Sequence, residues 1–368
     1  MASLIALVSR RPTLSHVQHV RPVRPAEADG LVAQVYEQVE REFGMLAPPL
    51  SLHSPVPTML AATWSVLRET LLVDRSCTRS ARELVASAVS QANSCPYCVD
   101  VHGSTLSGLI DGHPDAAAVA ADRIDDITDP RLRGLARWAR STGLSGQLVP
   151  APFRAEHAAE LIGTAVTFHY INRMVNIFLP DTPLPPQVSG GGRRALLRLA
   201  ARVMGGIAKR PNAGGRSLGL LPPASLPVDM AWAAGVPDIA AAWGRAAEVF
   251  DACGRAAVPE RVRLTLLTRL SARDAEGPGM SNRTWLETAV NGLPDSLQAA
   301  GRLAMLTAFA SYQVTPRVIE EFRRDNPGDD ALVAVTGWAA MAAARRIGAR
   351  LAEDLAVGLN KADGADDA

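Results

Sequence analysis

Along most of the chain, apolar residues return every three or four positions rather than every second one, and runs of β-branched or aromatic residues are few. That period marks one face of an α-helix, so the pattern predicts an all-α fold class. Helices are expected over Pro25 to Phe43, Pro57 to Val73, Thr78 to Ala92, Pro96 to Ile110, Asp129 to Arg140 and Phe153 to Phe178. The stretch Pro180 to Gly192 (PDTPLPPQVSGGG) interrupts the pattern. Its prolines lack amide donors and its glycines are too free to hold a regular helix, so it reads as a linker.

Beyond this break the pattern restarts. In the first half CTRSARELVASAVSQ (Cys77 to Gln91) is followed by LSGLIDG, ITDPRLRGLARWARS and VPAPFRAEHAAELIGTAVTFHYINRMVNIF. In the second, AVPERVRLTLLTRLS (Ala257 to Ser271) is followed by LETAVNG, LPDSLQAAGRLAMLTAF and a long closing helical segment. At 368 residues the chain is long enough for two domains. The expected division is a domain over 26–180, a linker with a short helix over 181–226, and a degenerate second repeat over 227–357. The second copy carries Arg263 where the first has Glu83, and Glu276-Gly277-Pro278-Gly279 where the first has cysteines. Its apolar face Val262, Leu266 and Leu270 must be buried, and the first half is the simplest partner.

Charge changes the picture little. Thirty-eight Lys and Arg stand against 37 Asp and Glu, a balance that gives no general attraction to nucleic acid or anionic lipid, and neither nucleic acid nor a membrane is an expected partner. Leu4 to Val8 is too short to span a bilayer, and polar residues follow Arg10-Arg11 where a twin-arginine signal would turn apolar. The expected location is cytoplasmic. Only four cysteines occur, Cys77, Cys95, Cys98 and Cys253, too few to staple a secreted fold of this size. A close pair in a reducing compartment points to catalysis or metal binding.

That pair sits in the spacing Glu-x11-Cys-x2-Cys-x3-His: Glu83, Cys95, Cys98, His102. Pro96 suits the first turn of a helix, which puts Cys95 at its N-cap and Cys98 within its first turn. Cys95, Cys98 and His102 follow i, i+3, i+7 and share a face, and the four-residue step brings the His102 imidazole next to Cys98. A turn at Asn93-Ser94 folds the preceding helix back, with Glu83 roughly 16 Å and His102 roughly 12 Å from the turn at about 1.5 Å per residue. A carboxylate there fixes the imidazole tautomer. A helix terminus alone lowers a thiol by about one unit or less, so a base is needed, and only Cys98 is placed beside one; in thioredoxin-like sites the first, more exposed cysteine attacks, which nominates Cys95 instead.

Zinc is the competing chemistry, with Cys95, Cys98 and His102 as three ligands and Glu83 or His169 as a fourth. Heme attachment is excluded because Val99, not histidine, follows Cys98. Cys95-Pro96-Tyr97-Cys98 is also the glutaredoxin tetrapeptide, but there it follows a strand, and here a helix.

Glu83 through His102, together with LHSPVPTMLAATWSVLRETLL (Leu52 to Leu72), resembles the alkylhydroperoxidase D branch of the carboxymuconolactone decarboxylase superfamily. The resemblance covers about Ala26 to Leu179. It implies an antiparallel helical bundle that forms homo-oligomers and a thiol peroxidase or disulfide oxidoreductase with no cofactor. By that resemblance Cys98 becomes a sulfenic acid, Cys95 is its disulfide partner, and Glu83 with His102 is the proton relay. The implied partners are a peroxide or disulfide substrate and a thiol reductant or protein electron donor. Alkylhydroperoxidase D carries a further histidine between its cysteines, where this chain has Tyr97. The alternatives are a decarboxylase-like enzyme, whose branch lacks the cysteine pair, and a non-enzymatic zinc or scaffold protein.

Other residues carry weaker expectations. His53, Trp64, Arg68 and Glu69 are candidates for a pocket lining, with packing and surface the simpler roles. His169, Tyr170, Asn172 and Arg173 read as capping or an intersubunit contact. Cys77 and Cys253 read as buried apolar residues.

Overall fold

The computed structural model describes residues 14–184, 190–272, 277–278 and 283–366, and among them there are helices and turns but no strand. The expected all-α class is the class observed. The first half contains α1 (Gly30–Phe43), α2 (Pro57–Leu67), α3 (Arg79–Ala92), α4 (Pro96–Leu109), α5 (Pro130–Ser141) and α6 (Ala158–Phe178). The break between halves carries α7 (Gly190–Ala208). The second half contains α8 (Pro237–Ala257), α9 (Glu260–Ser271), α10 (Arg283–Val290), α11 (Asp295–Ala310), α12 (Pro316–Arg323) and α13 (Asp329–Asp366).

The helix starts follow the local chemistry. Thr78 and Asp129 accept hydrogen bonds from first-turn amides of α3 and α5, and prolines open α2, α4 and α5, where a missing N–H costs nothing. Two helices start five residues later than expected, α1 at Gly30 after a turn over 25–27 and α6 at Ala158 after a single 3-10 turn. A larger departure is at α2, which loosens into a π-helical turn over Arg68–Leu72 instead of continuing to Val73. Another is at α7. It runs for 19 residues from Gly190, inside the stretch expected to be non-helical, and is no short helix. Residues 185–189 of that stretch lie outside the described residues.

At the centre stands α6, buried at every position except Asn176. A helix with apolar residues on every face must be enclosed, and α3, α13 and the π-helical turn enclose it, leaving its polar side chains to find partners inside. The apolar core is continuous across both halves. Val262, Leu266 and Leu270 are buried as expected, but α9 packs them against α11 and α13 within its own half. The halves join instead through α13 on α6 and α8 on α2. Of the segment expected to replace the cysteines in the second half, Glu276 and Gly279 lie outside the described residues. Arg263 there donates to the Val258 carbonyl.

Candidate active site

The αα-hairpin of α3 and α4 forms as the spacing requires. Ser94 takes a left-handed backbone (φ 52°) at the reversal, and the Cys95 amide donates to the Ser90 carbonyl at 2.9 Å. Cys95 is the N-cap of α4 and Pro96 its first residue. The reversal sets α3 beside α4, and Glu83 Oε2 lies 2.7 Å from His102 Nδ1. The other carboxylate oxygen accepts from Arg79 Nε at 2.8 Å. Burial alone would push the Glu83 carboxyl up, but Arg79 and then His102 outweigh it and hold it at about 2. Glu83 is therefore a fixed anion. It holds the proton on His102 Nδ1 and leaves Nε2 as the basic nitrogen. Phe168 pins the ring from α6, edge to face at 4.4 Å.

The thiols stand differently from the expectation. Both are free, and both are buried, at 1% and 2% exposure. Among the described residues no hydrogen bond joins His102 to either one. Cys98 instead lies beside Cys95 and the Asn172 side chain, and both bear on its charge. Burial, with Cys95 beside it, raises the Cys98 thiol well above its ordinary value, and Asn172 pulls it only partly back. The expected low pKa at Cys98 is absent from this conformation, because desolvation of the thiolate outweighs the helix terminus. Tyr97 is buried too, its phenol raised by burial and by both thiols.

Asn172 belongs to a polar network that the sequence reading placed elsewhere. Its amide donates to Ser90 Oγ and accepts from Asn93 Nδ2, each at 3.0 Å. Asn93 also lies 3.0 Å from His169 Nδ1, and His169 Nε2 lies 2.9 Å from Thr142 Oγ1. Thr142 donates to the Ala139 carbonyl, so Nε2 of His169 carries the proton. Burial and then Arg173 keep that imidazole neutral. These side chains are neither caps nor an intersubunit surface. They brace the turn beneath Cys95 from within. Arg173 and Asn176 extend the brace into the second half, donating to the Ala308 carbonyl at 2.9 Å and to Ser311 Oγ at 3.0 Å.

The remaining candidates are structural. His53 is buried, pushed by desolvation down to about 4, with Nε2 at 2.7 Å from Tyr170 Oη. Trp64 donates to Gln38. Arg68 and Glu69 form a fully buried ion pair at 2.6 Å on the π-helical turn. Around it Glu42 and Arg75 close the charge, and the Gly215 amide and Ser217 hydroxyl donate to Glu69, which fastens the segment after α7. Cys253 is only half-buried.

The competing zinc set does not assemble, since the donor atoms of Cys95, Cys98 and His102 with Glu83 or His169 do not gather within 4.8 Å of one another. The described residues with metal-compatible donors within 4.8 Å of one another are Cys77, His157 and Glu160. There Glu160 already accepts from Ser76 and the Cys77 amide, and burial followed by Glu160 pushes the Cys77 thiol up to about 12. A cavity of about 470 Å³ lies away from the cysteines, in the second half around Trp338 and Arg345.

The carboxymuconolactone decarboxylase family pattern matches residues 57–141, a span that contains Glu83, Cys95, Cys98 and His102. A Mycobacterium tuberculosis protein named alkyl hydroperoxide reductase is 39% identical over 339 residues, 91% of this chain and 95% of the relative. The chain belongs to the carboxymuconolactone decarboxylase family. The likeness to that relative extends through α7 and the second half, well beyond the family pattern. No solved structure was found to match the chain. Within this member of the family, Asn172 and His169 lie outside the matched span yet reach the cysteine hairpin. The run of polar residues His169, Asn172, Arg173 and Asn176 late in a helix rich in apolar residues was the sequence signal for them.

Proposed function

We propose that the chain is a thiol peroxidase in which Cys95 and Cys98 form the two-electron centre and Glu83 with His102 moves the protons. The 2.7 Å contact between Glu83 and His102, one helical turn beyond Cys98, carries this reading. The name of the 39% identical relative agrees with it. Both thiols are buried, so the hairpin must open to admit peroxide. His102 Nε2 then takes the Cys98 proton. The Cys98 sulfur attacks the terminal peroxide oxygen, the O–O bond breaks, and the leaving alkoxide takes the proton back from His102 as an alcohol. Sulfur is thereby oxidised by two electrons to a sulfenic acid. Cys95 attacks that sulfur, the S–O bond breaks, and water leaves with the Cys95 proton as the disulfide forms. An external dithiol returns the pair to its reduced state.

The second half, 227–357, serves in this account as a degenerate repeat that buries α6 and steadies the hairpin through Arg173 and Asn176. The test is peroxide consumption with a small dithiol as reductant. Wild type should turn over, and Cys95→Ser and Cys98→Ser should each abolish it. Turnover that survives both substitutions overturns the proposal. So does a protein inactive on peroxides that decarboxylates a lactone acid.

A further inference from the structure

The near balance of charge over the whole chain conceals a block. Between Asp181 and Asp229 there is no acidic residue, while seven of the 38 basic residues fall there, leaving 31 basic against 37 acidic elsewhere. Most of this block is α7 and the turn that follows it. One face of α7 lies along α4, where Met204 meets Thr105 and Gly205 crosses Gly108 too closely for a side chain on either. The opposite face meets solvent. Leu199 is 56% exposed and Val203 44%, with Leu196 beside them at 36%, on the i, i+3, i+7 spacing of a single stripe. Arg198 and Arg202 are exposed along one side of it.

An apolar stripe bordered by arginines, with no acidic neighbour in sequence, is the pattern of a helix lying in a membrane interface. We propose that α7 docks this face on an anionic lipid surface. Each feature answers to that occupant. Anionic headgroups complement the arginines, and the acyl boundary takes Leu196, Leu199 and Val203. A second copy docked face to face would set arginine rows against each other. Nucleic acid would satisfy the arginines but has no use for the leucines. No described helix is long and apolar enough to cross a membrane, so the contact is peripheral. Because α7 lies along the helix that carries Cys98 and His102, docking would set that site at a lipid surface. If the thiol reading holds, the substrates delivered there are acyl-chain hydroperoxides.

The test is co-sedimentation of the full chain with vesicles. It should bind vesicles of equal parts phosphatidylglycerol and phosphatidylcholine, lose the binding in high salt, and leave pure phosphatidylcholine largely alone. Neutralising both arginines (Arg198→Gln with Arg202→Gln) should weaken binding roughly thirtyfold, about fivefold per charge. Leu199→Ser with Val203→Ser should weaken it at least tenfold, with helical content unchanged by circular dichroism. The Cys95→Ser, Cys98→Ser double variant should bind like wild type, which separates this proposal from the thiol reading. Four results would overturn it: no binding to anionic vesicles, equal binding to neutral ones, indifference to the leucine and valine changes, or self-association through this face in place of lipid binding.

Discussion

Replacing Glu83 with glutamine keeps the volume of the side chain and removes its charge. In the native structure that carboxylate takes Arg79 on one oxygen and His102 on the other, and it is 1% exposed. Its pKa of about 2, against an ordinary 4.5, records how much more strongly the fold holds the anion than the neutral acid. At about 1.4 kcal/mol per unit, the difference is about 3 kcal/mol. Removing one member of a buried charge pair costs a similar amount in general. The sign follows from the depressed value. The contribution is complete above the unfolded pKa near 4.5 and is lost as pH falls through about 2. Urea unfolding of wild type and Glu83→Gln should therefore show the variant weaker by about 3 kcal/mol at pH 7, with the gap narrowing below pH 4.5. Equal stabilities at pH 7, or a gap that widens in acid, would show that the fold does not favour the Glu83 anion.

Asn172→Ala removes the one neighbouring side chain that favours the Cys98 thiolate, so the pH midpoint of Cys98 alkylation in the unfolding-free range should rise further. An unchanged or lower midpoint would contradict the assigned contact. His102→Gln should slow peroxide turnover by about a hundredfold or more, the usual weight of a general base, while the variant stays folded by circular dichroism. Gly108→Ala places a methyl group against the backbone of Ala201 and should lower stability by about 1–3 kcal/mol through overpacking. Equal melting temperatures would show that α7 does not press on α4 as described. Residues 1–185 expressed alone should be insoluble or inactive, because α13 no longer covers α6, and a soluble, monomeric, fully active fragment would contradict the role given to the second half.

Much of the hairpin was legible in the sequence because helical spacing is rigid. Pro96 marks the start of α4, and the eleven residues between Glu83 and Cys95, with a turn at Asn93 and Ser94, bring Glu83 level with His102. The state of the thiols was not legible. The helix terminus and the four-residue step to His102 both argue for an acidic Cys98, whereas the desolvation that opposes them depends on α6, a distant segment. The same limit applies to Arg68 and Glu69. They read as surface or pocket residues on an amphipathic helix, yet tertiary packing buries them among Glu42, Arg75 and Ser217. The glycines before Arg193 read as linker, but α7 begins at Gly190 and, further along, packs closely on α4.

In the proposed function Cys95 and Cys98 act as one redox pair. Peptide mapping by mass spectrometry of the full chain after one equivalent of an alkyl hydroperoxide tests it directly. A single new Cys95–Cys98 disulfide is expected, with Cys77 and Cys253 still reduced, and a sulfenic acid trapped on Cys98 in the Cys95→Ser variant. A pair that stays reduced under peroxide, or a disulfide between Cys98 and Cys77, would contradict it.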